Sequence, residues 1–210
     1  MRFAFRISSL ALALFLLACV NLPLRSNDAQ QDARRIVEKL GVSAGATVGE
    51  VGGGGGDVAV AVASLLGGKG AVLVTEIDES KLGSMRSRFA GGSGATVKVS
   101  ASSADSTKLP DACCDGMYMR DVYHHFTNPQ SMVASLYRNL KPGGRAVVID
   151  FRPRTGGSWS IPEGVPANRG GHGISIALLR EELEAAGFRH IETIEEWRDN
   201  LYAVIVEKPR

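Results

Sequence analysis

Five consecutive glycines at residues 52–56 constrain this chain more than any other feature of its sequence. The residues before them, 46–51, have the pattern of a strand, and the residues after them, 58–66, have the pattern of a helix. Without Cβ atoms, the backbone between the two can turn tightly and let a ligand lie against its amides. The helix N-terminus adds free N–H groups and a positive dipole end. The sequence therefore predicts a site for a carboxylate or phosphate group.

Strand-like and helix-like segments alternate along the rest of the chain. The predicted strands are residues 46–51, 71–77, 95–100, 116–122, 145–151, 188–196 and 200–207. The predicted helices are residues 29–40, 58–66, 80–89, 129–140 and 175–186. Such alternation favours parallel strands joined by helical crossovers, whereas the turn before the last strand is too short for one. We predict a three-layer, Rossmann-like α/β fold with a seven-stranded sheet, mostly parallel, that ends in an antiparallel hairpin.

The first eighteen residues have the pattern of an export signal. Arg2 and Arg6 precede an apolar run at residues 10–17, which is too short to cross a bilayer because a spanning helix needs about 20 apolar residues. The sequence Leu-Leu-Ala-Cys at 16–19 resembles a bacterial lipobox, which predicts a lipidated Cys19 as the mature N-terminus. Cleavage after Ala18 without lipidation, or an uncleaved anchor or organelle-targeting segment, are the alternatives.

These observations define the expected organisation and location of the chain. We predict a signal peptide at residues 1–18, a linker at 19–28 and one catalytic-sized domain at 29–208. The protein is expected to be exported, either periplasmic or attached to a membrane through the lipid on Cys19. The sequence does not indicate an oligomeric state.

The charge balance and the cysteine spacing argue against nucleic-acid binding and against a metal site built on cysteines. The formal net charge is +2, and removal of residues 1–18 takes away two arginines and no acid, which brings it to zero. No basic patch therefore indicates a nucleic-acid partner. Cys113 and Cys114 are adjacent, and neither has metal-ligand spacing. We expect two small buried side chains there, because neighbouring cysteines make a poor structural disulfide.

Two carboxylates flank the glycine run in the predicted fold. Glu50 lies two residues before the first glycine, and Glu76 ends the second predicted strand, where nucleotide-binding α/β folds hold ribose hydroxyls. A shielded, charge-assisted hydrogen bond to each hydroxyl contributes roughly 1.5 to 3 kcal/mol. Asp78 is the alternative, but its position after the strand is typical of a helix N-cap.

The glycine run is compatible with two kinds of nucleotide site. The spacing Gly54-x-Gly56-x-x-Ala59 satisfies a loose dinucleotide-binding pattern, which leaves an NAD-dependent oxidoreductase as an alternative. The acid before the glycines favours a different class. The order Glu50-x-Gly52-x-Gly54-x-Gly56 resembles motif I of class I S-adenosylmethionine-dependent methyltransferases.

Three later segments make the resemblance more specific. The stretch Asp-Val-Tyr-His-His-Phe at 121–126, the turn Lys-Pro-Gly-Gly at 141–144 and Glu-Ala-Ala-Gly-Phe at 184–188 look like a bacterial branch of small methyltransferases. Members of this branch are often export-tagged and are related to the quinone-methylase type. The resemblance covers about residues 29–208. Two departures, Gly49 in place of a larger apolar residue and the all-glycine loop, would loosen cofactor binding.

The resemblance implies S-adenosyl-L-methionine as the cofactor, bound at the carboxyl ends of the first strands. Asp105 would accept a hydrogen bond from the adenine amino group, and the backbone of Arg120 would contact the methionine part. The residues implied for cofactor binding are Glu50, Gly52, Gly54, Gly56, Glu76, Ile77, Ala104, Asp105 and Arg120.

By the same resemblance, residues 121–125 line the pocket where the methyl group is transferred. His124 is the preferred general base because an imidazole titrates near neutrality, and Asp121 or Tyr123 would orient it or the substrate. His125 is a second candidate base, and His172 is a candidate for closing over the pocket. We predict no metal site, because adjacent histidines without a supporting Cys, Asp or Glu at ligand spacing make a poor cage.

The predicted activity is methyl transfer to an unidentified small molecule. The sulfonium donor is already activated, so the protein has chiefly to align the acceptor and exclude water. Arsenite methylation is disfavoured because the cysteines, at 19, 113 and 114, do not form a spread trio. A methyltransferase-like exported lipoprotein without catalytic activity is a further alternative, beside the oxidoreductase.

Overall fold

The computed structural model describes residues 24–92, 94–154, 161, 163–169 and 172–210. The predicted signal peptide, the lipobox with Cys19 and the start of the predicted linker lie outside these residues. Within the described part of the chain, no helix is long and apolar enough to span a membrane.

The centre of the fold is a seven-stranded sheet with the strand order β3-β2-β1-β4-β5-β7-β6. The first five strands run parallel, and β7 lies antiparallel between β5 and β6. The strands are β1 Thr47–Val51, β2 Ala71–Glu76, β3 Thr96–Ala101, β4 Cys114–Arg120, β5 Leu140–Phe151, β6 Arg189–Arg198 and β7 Leu201–Glu207. The predicted fold class, including the C-terminal hairpin, is confirmed.

Helices cover both faces of the sheet and give three layers. They are α1 Leu24–Leu40, α2 Asp57–Leu66, α3 Glu79–Phe89, α4 Pro129–Asn139 and α5 Ile176–Ala185. The core beside α1, α2 and α3 is separate from the core beside α4 and α5. Strand β5 serves both, because Val147 and Ile149 face the first core while Ala146 and Val148 face the second.

Two local predictions were wrong. Helix α1 begins at Leu24, whereas the sequence predicted that this helix starts at residue 29. The polar residues there lack apolar periodicity, but Asp28 on this helix pairs with Arg198 at 3.0 Å. Cys113 and Cys114 are joined as a disulfide, whereas the sequence predicted two separate side chains.

A buried carboxylate attaches α1 to the sheet. Asp32 is 1% exposed and accepts hydrogen bonds from Trp197 Nε1 at 2.8 Å and from Arg198 Nη2 at 3.0 Å. Its Oδ2 also lies 2.8 Å from Nε of Arg120, at the carboxyl end of β4. The leading helix is thereby tied to the last hairpin and to the edge of the sheet where the predicted site lies.

Candidate functional site

The glycine loop between β1 and α2 is held against the end of β2. The amides of Gly52 and Gly53 donate to the Thr75 carbonyl at 2.9 and 3.1 Å, and the amide of Gly54 donates to Glu76 Oε2 at 3.1 Å. Gly52 and Gly54 have φ of 72° and 51°, a region that disfavours side chains. A Cβ on Gly54 would meet no atom within 4 Å, so this part of the loop faces open space.

Replacing Gly53 with alanine is expected to destabilise the protein by about 1 to 3 kcal/mol, because overpacking forces neighbouring side chains to shift. A Cβ at this position would overlap Val74 and lie 2.6 Å from Met85 Cε. Chemical denaturation measures the change. Gly68→Ala is the matched control, since a Cβ there meets nothing within 4 Å. Equal stability of the two variants would contradict the prediction.

Glu76 is fixed at the mouth of this loop with both oxygens in use. Oε2 accepts from the Gly54 amide, and Oε1 accepts from the Asp78 amide at 3.0 Å. The side chain is 5% exposed. Asp78 caps α3 by accepting from the Ser80 amide at 3.1 Å, as its position after the strand indicated. The Glu76 carboxylate is therefore held in a fixed orientation at the loop, whereas Asp78 serves as a helix cap.

Glu50 lies behind the loop as a buried acid. It is 4% exposed, and burial raises its pKa from 4.5 to about 8, although the neighbouring Tyr118 hydroxyl and Arg120 lower it. Tyr118 lies beside Glu50 on the paired strand β4, yet neither its hydroxyl nor Glu50 Oε2 has a hydrogen-bond partner of normal geometry among the described residues. A buried carboxyl group with one unsatisfied oxygen at a cavity wall is poised to bind a hydrogen-bond donor or a cation.

Two adjoining cavities meet at the glycine loop. The larger, of about 530 Å³, is lined by the loop together with Glu50, Glu76 and Arg120. The smaller, of about 140 Å³, is mostly apolar and includes Val51 and Phe126. The residues that line both are Gly52, Ile77, Val122 and His125. Their combined size lies in the range of small-molecule sites, which are about 300 to 1,000 Å³.

The structure brings most of the predicted cofactor residues to these cavities. The larger cavity is lined by Glu50, Gly52, Gly54, Gly56, Glu76, Ile77 and Arg120, and the smaller one by Ala104. Ile77 is 59% exposed, which is unusual for a large apolar side chain. Asp105 lines neither cavity: it is exposed beside Ala104 and accepts a hydrogen bond from Ser103 Oγ at 2.7 Å.

His124 lies at the carboxyl ends of β4 and β5 with its ring nitrogens in different surroundings. Nδ1 is 2.8 Å from Asp150 Oδ1, and the His124 amide donates to Asp150 Oδ2 at 3.1 Å. Both side chains are buried. Nε2 is buried and has no hydrogen-bond partner among the described residues. In the tautomer that donates from Nδ1 to this carboxylate, Nε2 carries a lone pair.

The imidazoles of His125 and His172 pack around the ring of His124. The ring centroids of His125 and His172 lie 4.0 and 4.8 Å from that of His124, and Phe151 packs 4.6 Å away. Partial burial lowers the pKa of His125, and the neighbouring imidazoles lower it further. The pKa of His172 is lowered in the same way. The side chains therefore form a cluster of rings beside the larger cavity.

Asp121 lies on the exposed side of the larger cavity, whereas Tyr123 lies in the core. Asp121 is exposed, lines the larger cavity and has φ of 60°, an uncommon conformation for a residue other than glycine. Tyr123 is fully buried, and its hydroxyl donates to Glu182 Oε2 at 2.8 Å. It lines neither cavity, so the structure does not support the predicted contact of Tyr123 with the substrate.

Asp150 was missed by the sequence analysis although a signal was present. It ends an apolar run in β5, the same position relative to its strand that singled out Glu50 and Glu76. The carboxyl ends of adjacent parallel strands meet at one edge of the sheet, and β4 pairs with β5. An acid there is directed towards the turn that follows β4.

The sheet order, the glycine loop after β1 and the acids at the ends of β1 and β2 define a Rossmann-like domain of the class I methyltransferase type. Residues 49–148 match a family described as a methyltransferase domain. A C-methyltransferase of ubiquinone and menaquinone biosynthesis, UbiE from Marinomonas sp., is 34% identical over 119 residues, which are 56% of this chain and 47% of that protein. The chain thus spans about half the length of the curated relatives it matches.

Solved structures give the same fold over most of the chain. A SAM-dependent methyltransferase from Aquifex aeolicus matches with a TM-score of 0.69 and 22% identity, covering 87% of this chain and 92% of that one. Phosphoethanolamine N-methyltransferase 2 of Haemonchus contortus, in complex with S-adenosyl-L-methionine, matches with a TM-score of 0.68 and 17% identity over 85% and 52% of the two chains. Residues 49–148 are therefore similar to a methyltransferase domain, and most of the chain has the fold of solved S-adenosylmethionine-dependent methyltransferases.

Proposed function

We propose that this chain transfers the methyl group of S-adenosylmethionine to a small molecule. The observation that carries the proposal is the convergence of Glu50, Glu76 and the glycine loop on one cavity that continues into an apolar pocket. A nucleoside needs a carboxylate for its ribose hydroxyls and an apolar slot for its base. The methionine end brings an ammonium group, which suits a buried carboxyl group, and a carboxylate, which suits Arg120 or a helix N-terminus.

The acceptor is expected to approach from the side of the imidazoles. His125 lines both cavities, and the rings of His124, His172 and Phe151 pack around one another next to it. The faces of these protein rings can stack on an aromatic ring of the acceptor. We therefore propose a small, ring-bearing acceptor, which is consistent with the quinone-biosynthesis role in the name of the UbiE relative. The proposal of His124 as a general base applies only to acceptors that carry a proton on the reacting atom.

Calorimetric titration with S-adenosylhomocysteine tests the proposal. The wild-type chain is expected to bind it, and Glu76→Gln is expected to weaken binding about 10- to 100-fold, since at least one charge-assisted hydrogen bond is lost. Glu79→Gln is the matched control, because Glu79 is an exposed glutamate three residues later that lines neither cavity. Absence of binding by the wild-type chain, or an equal loss in both variants, would rule the cofactor site out.

Turnover separates the enzyme from its alternatives. Release of S-adenosylhomocysteine from S-adenosylmethionine on addition of quinols or phenols supports methyl transfer. Binding without release for any acceptor would favour the non-catalytic lipoprotein. Quenching of NADH fluorescence without binding of S-adenosylhomocysteine would favour the oxidoreductase.

A further inference from the structure

We propose that His124, His125 and His172 form a binding site for a divalent transition-metal ion beside the larger cavity. Each imidazole brings one ring nitrogen to within 4.8 Å of the other two. The residues come from two separate segments, the turn after β4 and the loop after β5. The earlier expectation of no metal site considered only the adjacent pair 124–125, and the fold adds a third imidazole and a supporting carboxylate to it.

The position of His124 is the strongest support for a ligand at this place. Its Nε2 is buried and has no hydrogen-bond partner among the described residues. Leaving a buried polar atom unpaired is unfavourable, and a bound cation would offset this cost. Asp150 holds Nδ1 from behind at 2.8 Å, and an imidazole oriented by a carboxylate in this way is the usual arrangement around protein-bound zinc.

The present spacing is close to that of a metal site. Zinc–nitrogen bonds of about 2.0 to 2.1 Å place the nitrogens of a tetrahedral site about 3.4 Å apart. The nitrogens must therefore approach one another by up to about 1.4 Å, and the exposed side chain of His125 has room for such a movement. His124 cannot move in this way because its amide and its ring are both bound to Asp150. His124 is therefore the fixed ligand, and His125 is the one that can adjust.

The donor set determines the kind of ion. Three imidazole nitrogens suit zinc and its late first-row neighbours, whereas magnesium and calcium prefer oxygen. The carboxylate of Asp121 lies within 4.8 Å of ligand atoms of His124 and Asp150, on the side of Asp150. An ion held by the three imidazoles would occupy Nε2 of His124, which could then not act as a general base, and the ion would instead polarise an acceptor oxygen in the cavity that His125 lines.

Zinc titration of the full chain, prepared without a polyhistidine tag, tests the site. Competition with a chromophoric chelator measures the affinity, and the visible absorption of the Co²⁺ form reports nitrogen coordination. We expect one ion per chain. His125→Ala and His172→Ala are each expected to weaken zinc binding at least about 100-fold, since loss of a direct ligand should exceed the 10- to 100-fold effect of losing an outer partner.

The fourth histidine of the chain provides the control. His190 lies on β6 and is bound to Thr193 Oγ1 at 2.9 Å, so His190→Ala should leave zinc affinity unchanged. Absence of zinc binding, retention of full affinity in the His125 and His172 variants, or an equal loss in the His190 variant would overturn the metal site. Titration of the same preparations with S-adenosylhomocysteine keeps the two proposals separate, because cofactor binding does not require the ion.

Discussion

Replacing Glu50 with glutamine is expected to stabilise the unliganded protein by about 2 to 4 kcal/mol above pH 8 while it weakens cofactor binding. Burial raises the pKa of Glu50 from 4.5 to about 8. Between these two values the folded chain holds a proton that the unfolded chain has released. The stability of the wild-type protein therefore falls as pH rises through this window and is constant above it. Glutamine does not titrate, so the variant avoids this loss.

Thermal unfolding at pH 5 and pH 9 measures the effect. The melting temperature of Glu50→Gln should exceed that of the wild type by about 5 to 10 °C at pH 9 and by little at pH 5, since 1 kcal/mol corresponds to about 2 to 4 °C for a chain of this size. The control is Glu79→Gln, which removes an exposed glutamate and should shift neither value. A gain of the same size at both pH values would show that burial of the charge is not the cause.

The same substitution, Glu50→Gln, should weaken cofactor binding although it stabilises the unliganded protein. A bound ammonium or sulfonium group favours the ionised carboxyl group, so cofactor binding near pH 7 should release a proton. Calorimetry in two buffers of different ionisation enthalpy detects this release, which should be absent in Glu50→Gln. A variant that is more stable yet binds S-adenosylhomocysteine more weakly is the signature of a functional group, because a purely structural residue would lose both or neither.

Replacing Asp32 with alanine is expected to destabilise the protein by about 3 kcal/mol, because it removes one partner from a buried ion-pair network. Arg120, Arg198 and the Trp197 indole would each lose a hydrogen-bond or ion-pair partner. Since Arg120 also lines the larger cavity, affinity for S-adenosylhomocysteine should fall as well. Chemical denaturation and calorimetry measure the two effects.

Asp28 offers a matched control on the same helix. It pairs with Arg198 at 3.0 Å, but its side chain is 43% exposed. Exposed pairs of this kind contribute about 0 to 1 kcal/mol, so Asp28→Ala should have little effect. Equal losses of stability in Asp32→Ala and Asp28→Ala would mean that the burial of Asp32 does not determine how much it stabilises the protein.

The sequence by itself determined the features that depend on residues close together in the chain. The strand, the glycine loop and the helix that follows are consecutive in the chain, so their order defined a ligand site before any packing was known. Glu50 and Glu76 could be found for the same reason, since each ends an apolar strand. The terminal hairpin followed from a connection too short for a helix.

Only the tertiary structure decided which distant side chains meet. Pairing of β4 with β5 places Asp150 behind His124, 26 residues away in sequence, and the loop after β5 brings His172 to the same place. Asp32 and Arg120 are joined because α1 packs near the end of β4. The turn at Tyr123–His125 directs Tyr123 into the core and His124 towards Asp150, since successive residues of so tight a helix point in different directions. Such contacts depend on strand order and helix placement, which local patterns do not specify.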